Sequence, residues 1–145
     1  MEDITRIRMA VRRLIEVNRR RFASYRSAAR QFTTLELKTL FMNFALQSVR
    51  FRKDLYKWMD ETEVTTDQRR PAIGAGSLPE DKEFSFSAFV SLEEEVLRTY
   101  RTVLATSFFP FEALKEIENQ VKEIESARHV FDVIRGGVSK QLNAA

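Results

Sequence analysis

Residues Leu14–Ala29 read LIEVNRRRFASYRSAA, and residues Phe89–Leu104 read FVSLEEEVLRTYRTVL. In and around the first stretch, Ile7, Val11, Leu14, Phe22, Tyr25 and Ala29 recur at the spacing of one helix face. Asn18 stands in the middle of that stripe, seven residues before Tyr25. In the second stretch Phe89, Val96, Tyr100, Val103 and Leu104 form the stripe, and Glu93 interrupts it seven residues before Tyr100. Two long amphipathic helices that each place a polar residue inward predict a helical bundle with a polar centre.

The first helix is expected over about 4–30. A short turn follows, and Thr33 with Glu36 reads as a capping box opening a second helix over 34–60. That helix presents Leu37, Leu40, Phe41, Phe44, Ser48, Phe51, Leu55 and Met59 on one side, with Gln47 beside Ser48. Residues 61–85 hold two of the four glycines and two of the three prolines, and read as a polar connecting loop. A third helix spans 86–107. Pro110 opens a fourth over 110–135, whose inward stripe is Ile117, Val121, Ile124, Arg128 and Phe131 and which Gly136-Gly137 is expected to stop. The order is hairpin, long crossover, hairpin. A helix of about 22 residues is about 33 Å long, which a loop of this length spans easily. The first and third helices also resemble each other, as in Asn18/Glu93 and Tyr25-Arg26/Tyr100-Arg101, which suggests two related helix pairs.

A chain of 145 residues with 43% hydrophobic content fits a single domain over 1–145 with a real core. It has no cysteine, no signal-peptide apolar region at its N-terminus and no apolar run near bilayer length, so a soluble cytoplasmic protein without membrane contact is expected. Charge is uneven: residues 1–70 carry 16 Lys and Arg against 9 Asp and Glu, and residues 71–145 carry 8 against 12. Such halves can attract each other within a chain or between subunits.

The chain resembles a bacterial four-helix-bundle family of unknown function in the ferritin-like superfamily. The resemblance rests on Leu40-Phe41, Ala45, Gln47-Ser48, Phe51 and Leu55 preceded by Glu36-Leu37-Lys38, on the Leu14–Asn18 and Ser24–Ala29 segments, on Glu93 before Tyr100, and on Ile124-Glu125-Ser126-Ala127. It implies an all-α, ferritin-like four-helix bundle of two antiparallel hairpins joined by a long crossover, and implies little about activity. Segment 61–85 departs from the family's pattern, which has a glycine-rich turn and a short Trp-containing helix there.

Diiron sites in such bundles take a Glu from each of two helices and Glu-x-x-His from each of the others. This chain offers Asn18, Ser48 and Gln47 at the corresponding faces, and only Glu93 fits. Its single histidine, His129, has Ser126 three residues before it and points away from the inward stripe. No metal, cofactor or catalytic residue is expected. A buried carboxylate demands a partner, and Arg128 is the expected one, with Asn18, Tyr25, Ser48 and Tyr100 in support.

Most of the nine arginines between Arg6 and Arg30, including Arg12, Arg13, Arg19, Arg20 and Arg26, fall on the expected outer band of the first helix. They read as a solvated face, as a surface pairing with another subunit, or as a stripe for an anion or nucleic acid. Glu94 and Glu95 diverge from Glu93 by helix geometry and read as surface residues. Val130, Val133 and Ile134, with Phe108, Phe109 and Phe111 at the last turn, read as core or as a homodimer contact. The expected role is non-catalytic association, with a homodimer or other homo-oligomer. The alternatives are a divergent metal or small-ligand site on Glu93, Asn18 and the two tyrosines, and an anion-binding first helix.

Overall fold

The computed structural model describes residues 2–69 and 86–144, with side chains described within 4–69 and 86–134. All regular structure among them is helical: α1 (Glu2–Gln31), α2 (Leu35–Leu55), a 3-10 turn (Tyr56–Trp58), α3 (Glu61–Arg69), α4 (Phe86–Thr106) and α5 (Phe111–Ala144). Among the described residues no helix is long and apolar enough to cross a membrane.

Side-chain pairings fix the helix directions. Asn18, Arg20, Arg21 and Tyr25 of α1 meet Tyr100, Glu95, Glu93 and Phe89 of α4 in turn, so these helices run antiparallel. Arg21 and Tyr25 meet Ser48 and Phe41, which makes α1 and α2 antiparallel as well. Phe41, Arg50 and Phe51 meet Phe131, Glu123 and Gln120, so α2 and α5 are also antiparallel. It follows that α2 and α4 point the same way. The chain between them must return along the full helix length, as the long 61–85 connection suggests.

The first part of that return is not a loop. Residues 61–69 form α3, and Asp60 caps it by accepting a hydrogen bond from the Glu63 N–H at 2.8 Å. The same N–H, as the largest influence, holds the Asp60 carboxyl below the usual range. Asp60 and Glu63 form a capping pair hidden within a polar stretch. Arg8, Arg12 and Arg19 pair in order with Asp60, Glu63 and Asp67, so α3 runs alongside α1 in the same direction. The rest of the expected loop, residues 70–85, lies outside the described residues.

Other boundaries shift for local reasons. The second helix ends at Leu55, not 60, because the chain tightens into the 3-10 turn with Met59 N–H bonded to Tyr56 O. Its N-cap is Thr34 rather than Thr33, with no side-chain capping bond. The last helix runs through Gly136-Gly137 to Ala144. Glycine inside a helix costs about 1 kcal/mol, which weakens a helix without ending it, and no glycine among the described residues has positive φ.

Two apolar clusters fill the interior. One holds Val11, Leu14, Ile15, Leu55, Val96, Leu97, Val103 and Ile117. The other is aromatic: Tyr25, Phe41, Phe44, Phe89 and Phe131, with Tyr25 and Phe89 stacked at 5.2 Å and Phe41 edge-on to Phe89 at 5.1 Å. Full burial of one such side chain contributes about 1.5–3 kcal/mol. Helix α1 touches α2, α3 and α4, so from Leu14 to Arg19 only Glu16 is not buried.

Candidate functional site: the polar centre

Two polar layers cross the bundle, the first within the first cluster and the second between the two clusters. In the first, Asn18 Nδ2 donates to Tyr100 Oη at 2.7 Å, and Tyr100 donates to Gln120 Oε1 at 2.6 Å. Gln120 Nε2 then donates to the Phe51 carbonyl at 3.2 Å. One relay therefore joins α1, α4, α5 and α2. Asn18 also donates to the Leu14 carbonyl, while its Oδ1 is buried with no hydrogen bond among the described residues.

The second layer is built on Arg21, which is wholly buried. Its Nε donates to Glu93 Oε1 at 2.8 Å and its Nη2 to Glu93 Oε2 at 2.9 Å, a bidentate pair. Nη2 also reaches Gln47 Oε1 at 2.8 Å, and Nη1 reaches Ser48 Oγ at 2.9 Å and the Phe44 carbonyl at 3.4 Å. A guanidinium has five N–H groups, and each has an acceptor here. The charged plane lies 5.0 Å from the Tyr25 ring centre and 5.8 Å from that of Phe51.

Electrostatics follow from burial. Desolvation opposes the Arg21 charge, but the attraction and hydrogen bonds of Glu93 outweigh it and raise the Arg21 pKa. Burial pushes the Tyr25 phenol well above its ordinary range, with the Glu93 charge adding to it. Burial also raises Tyr100, against the hydrogen bond from Asn18. Tyr25 Oη feels Glu93 and Arg21 but meets no well-formed hydrogen bond among the described residues.

Of the residues expected at the centre, Asn18, Tyr25, Ser48, Glu93 and Tyr100 are there and buried. Arg128 is not the partner of Glu93. Its long stem carries the guanidinium out to Glu94 at 2.8 Å, with both side chains near half-exposed. Arg21 takes its place. Gln120, flanked by Ile117 and Ile124 on the same face, is the other central residue that the inward stripe omitted.

Arg19 is not on the surface either. It is buried under α3 in an ion pair with Asp67, which Tyr56 and Arg52 also approach. Arg12 and Arg20 are exposed but paired with Glu63 and Glu95. Arg13 is exposed, and Arg26 is half-buried over the Phe22 ring. Glu94, Glu95 and His129 face outward. Phe109 is buried, while Phe108, Phe111 and Val133 are exposed.

The donor set does not fit a dinuclear metal centre. Glu93 is the one carboxylate in it and both its oxygens are held by Arg21. No group of three or more His, Cys, Asp or Glu converges among the described residues. Comparison with protein-family models, curated proteins and solved structures gives no match.

Proposed function

We propose that this chain is a metal-independent, ferritin-like four-helix bundle in the cytoplasm, acting by protein association rather than catalysis, and related to the bacterial family it resembles. The antiparallel neighbours, with α2 and α4 pointing the same way, support the ferritin-like arrangement of two hairpins and one crossover.

The observation that carries the reading is the saturation of Arg21. In a diiron bundle, metal cations neutralise the carboxylates of the facing helices. Here a side-chain cation from α1 neutralises Glu93 from α4, and every donor it has is used. A metal ion would have to displace a bidentate buried pair. The arginines of α1 also work mainly within the fold: Arg8, Arg12, Arg19, Arg20 and Arg21 each have an acidic partner in the chain. That argues against reading them as a free phosphate-tracking stripe.

Mass-spectrometric metal content, before and after anaerobic incubation with Fe(II) and desalting, tests the reading. The expected result is far less than one metal per chain. Near-stoichiometric metal that is lost in Glu93→Ala would replace this reading with that of a metal-binding bundle.

A further inference from the structure

The outer face of α2 carries an apolar stripe that no described residue covers. Leu35, Met42, Leu46 and Val49 are 73%, 37%, 55% and 40% exposed. They recur at steps of seven, four and three residues, the spacing of a helix–helix seam. They lie opposite Phe44, Ser48 and Phe51, which face the core. Scattered exposed apolar residues are ordinary, but a continuous row along one helix marks a contact surface.

The charges beside the stripe indicate what fits it. Glu36 and Arg50 are exposed on the same flank, about four turns apart. Arg50 pairs with Glu123 yet keeps 55% of its side chain exposed. A second copy laid parallel would place this flank on opposite sides of the seam in the two copies, so Glu36 and Arg50 would not meet. An antiparallel copy, related by a twofold axis near Met42 and Asn43, sets Leu35 beside Val49 of the second copy and Met42 beside its own counterpart. Glu36 then meets Arg50 of the second copy, twice by symmetry. Lys38, on the other flank, falls level with Leu46 of the second copy, where its stem covers apolar surface. A twofold contact requires self-complementarity of this kind.

We propose that α2 packs antiparallel against α2 of a second copy, and that this seam forms the homodimer. The proposal names the partner and surface for the association proposed above, and rests on that reading. A seam on one helix is smaller than the roughly 800 Å² per partner of a standard interface, so the dimer is reversible on dilution.

Sedimentation equilibrium of the full chain, from micromolar to millimolar, tests it. The mass is expected to double across that range, and Leu46→Lys to hold it at the monomer value with unchanged helicity and melting. The chain has no cysteine, so single cysteines report the register. Met42→Cys is expected to form a disulfide dimer under mild oxidation, and Leu35→Cys is not unless Val49→Cys accompanies it. A monomer at every concentration, a dimer that survives Leu46→Lys, or Leu35→Cys dimers formed as fast as those of Met42→Cys would overturn the proposal. Metal content of the same samples separates the two claims: a metal-loaded dimer sinks the metal-free centre alone, and a metal-free monomer sinks the seam alone.

Discussion

Arg21 grips both oxygens of Glu93 with its Nε and Nη2, at 2.8 and 2.9 Å, and neither side chain is reached by solvent. The pair ties α1 to α4, and the remaining donors tie α1 to α2. The fork is what makes this possible. A lysine ammonium has three donors and no plane, so Arg21→Lys is expected to keep the charge but lose the bidentate geometry. It should lower stability measurably in denaturant, and a Lys variant equal to wild type would show that the fork does not matter.

The two central tyrosines should respond differently to loss of their hydroxyls. Tyr100 both accepts and donates within the four-helix relay, so Tyr100→Phe leaves one N–H of Asn18 and the Oε1 of Gln120 unsatisfied at a cost of about 1–3 kcal/mol. The Tyr25 hydroxyl has no well-formed bond among the described residues, so Tyr25→Phe is expected to cost less than about 0.5 kcal/mol. Urea unfolding of both variants checks the contrast, and equal losses would contradict it.

High pH should unfold the chain through these phenols. Burial raises both Tyr25 and Tyr100 in the folded state. The stability each contributes is therefore full below the unfolded value of about 10. It is lost as pH rises toward the folded value, because only the unfolded chain gives up the proton. Unfolding free energy should fall above about pH 10, by up to about 1.4 kcal/mol per pH unit for each phenol. The fall should be shallower in Tyr25→Phe. Phenolate absorbance should rise with unfolding rather than before it, and two phenols ionising in the native protein would contradict the account.

Asp67 is the buried link between α3 and the bundle, beside the more exposed pairs of Arg8 and Arg12. It pairs with buried Arg19 and is approached by Tyr56 and Arg52. Asp67→Ala removes the carboxylate from a buried ion pair, a loss of about 3–5 kcal/mol when one partner of a buried pair goes. Hydrogen exchange should show the amides of 61–69 opening while those of 14–29 stay protected longest. Unchanged protection of α3 would mean that other contacts hold it.

Helix periodicity made the long helices and most of the centre legible. Asn18, Ser48, Glu93 and Tyr100 each sit at an inward position of an amphipathic stripe. Arg21 was masked by its neighbours, since Arg19-Arg20-Arg21 reads as a surface run. Two signals were nevertheless available: Arg21 lies three residues after Asn18 and four before Tyr25, and inward Glu93 demands a cation. Arg128 sits on the inward stripe yet faces out, because backbone periodicity places the Cβ and says nothing of where a long stem carries its charge. Arg19 and α3 go together: the Asp60–Glu63 cap is hidden in a polar stretch, and without α3 nothing in the sequence covers that side of α1. Gln120 looks like one more polar residue among glutamates, although it shares a face with Ile117 and Ile124.

The most direct test of the central claim is a double-mutant cycle on the pair, by equilibrium unfolding of wild type, Arg21→Met, Glu93→Leu and the double variant. If the centre is a structural ion pair, each single substitution leaves a buried charge unpaired and costs about 3–5 kcal/mol, and the double recovers much of that loss. If Glu93→Leu unfolds at the wild-type midpoint, or the double loses the sum of the two singles, Arg21 and Glu93 do not hold the bundle together and the account fails.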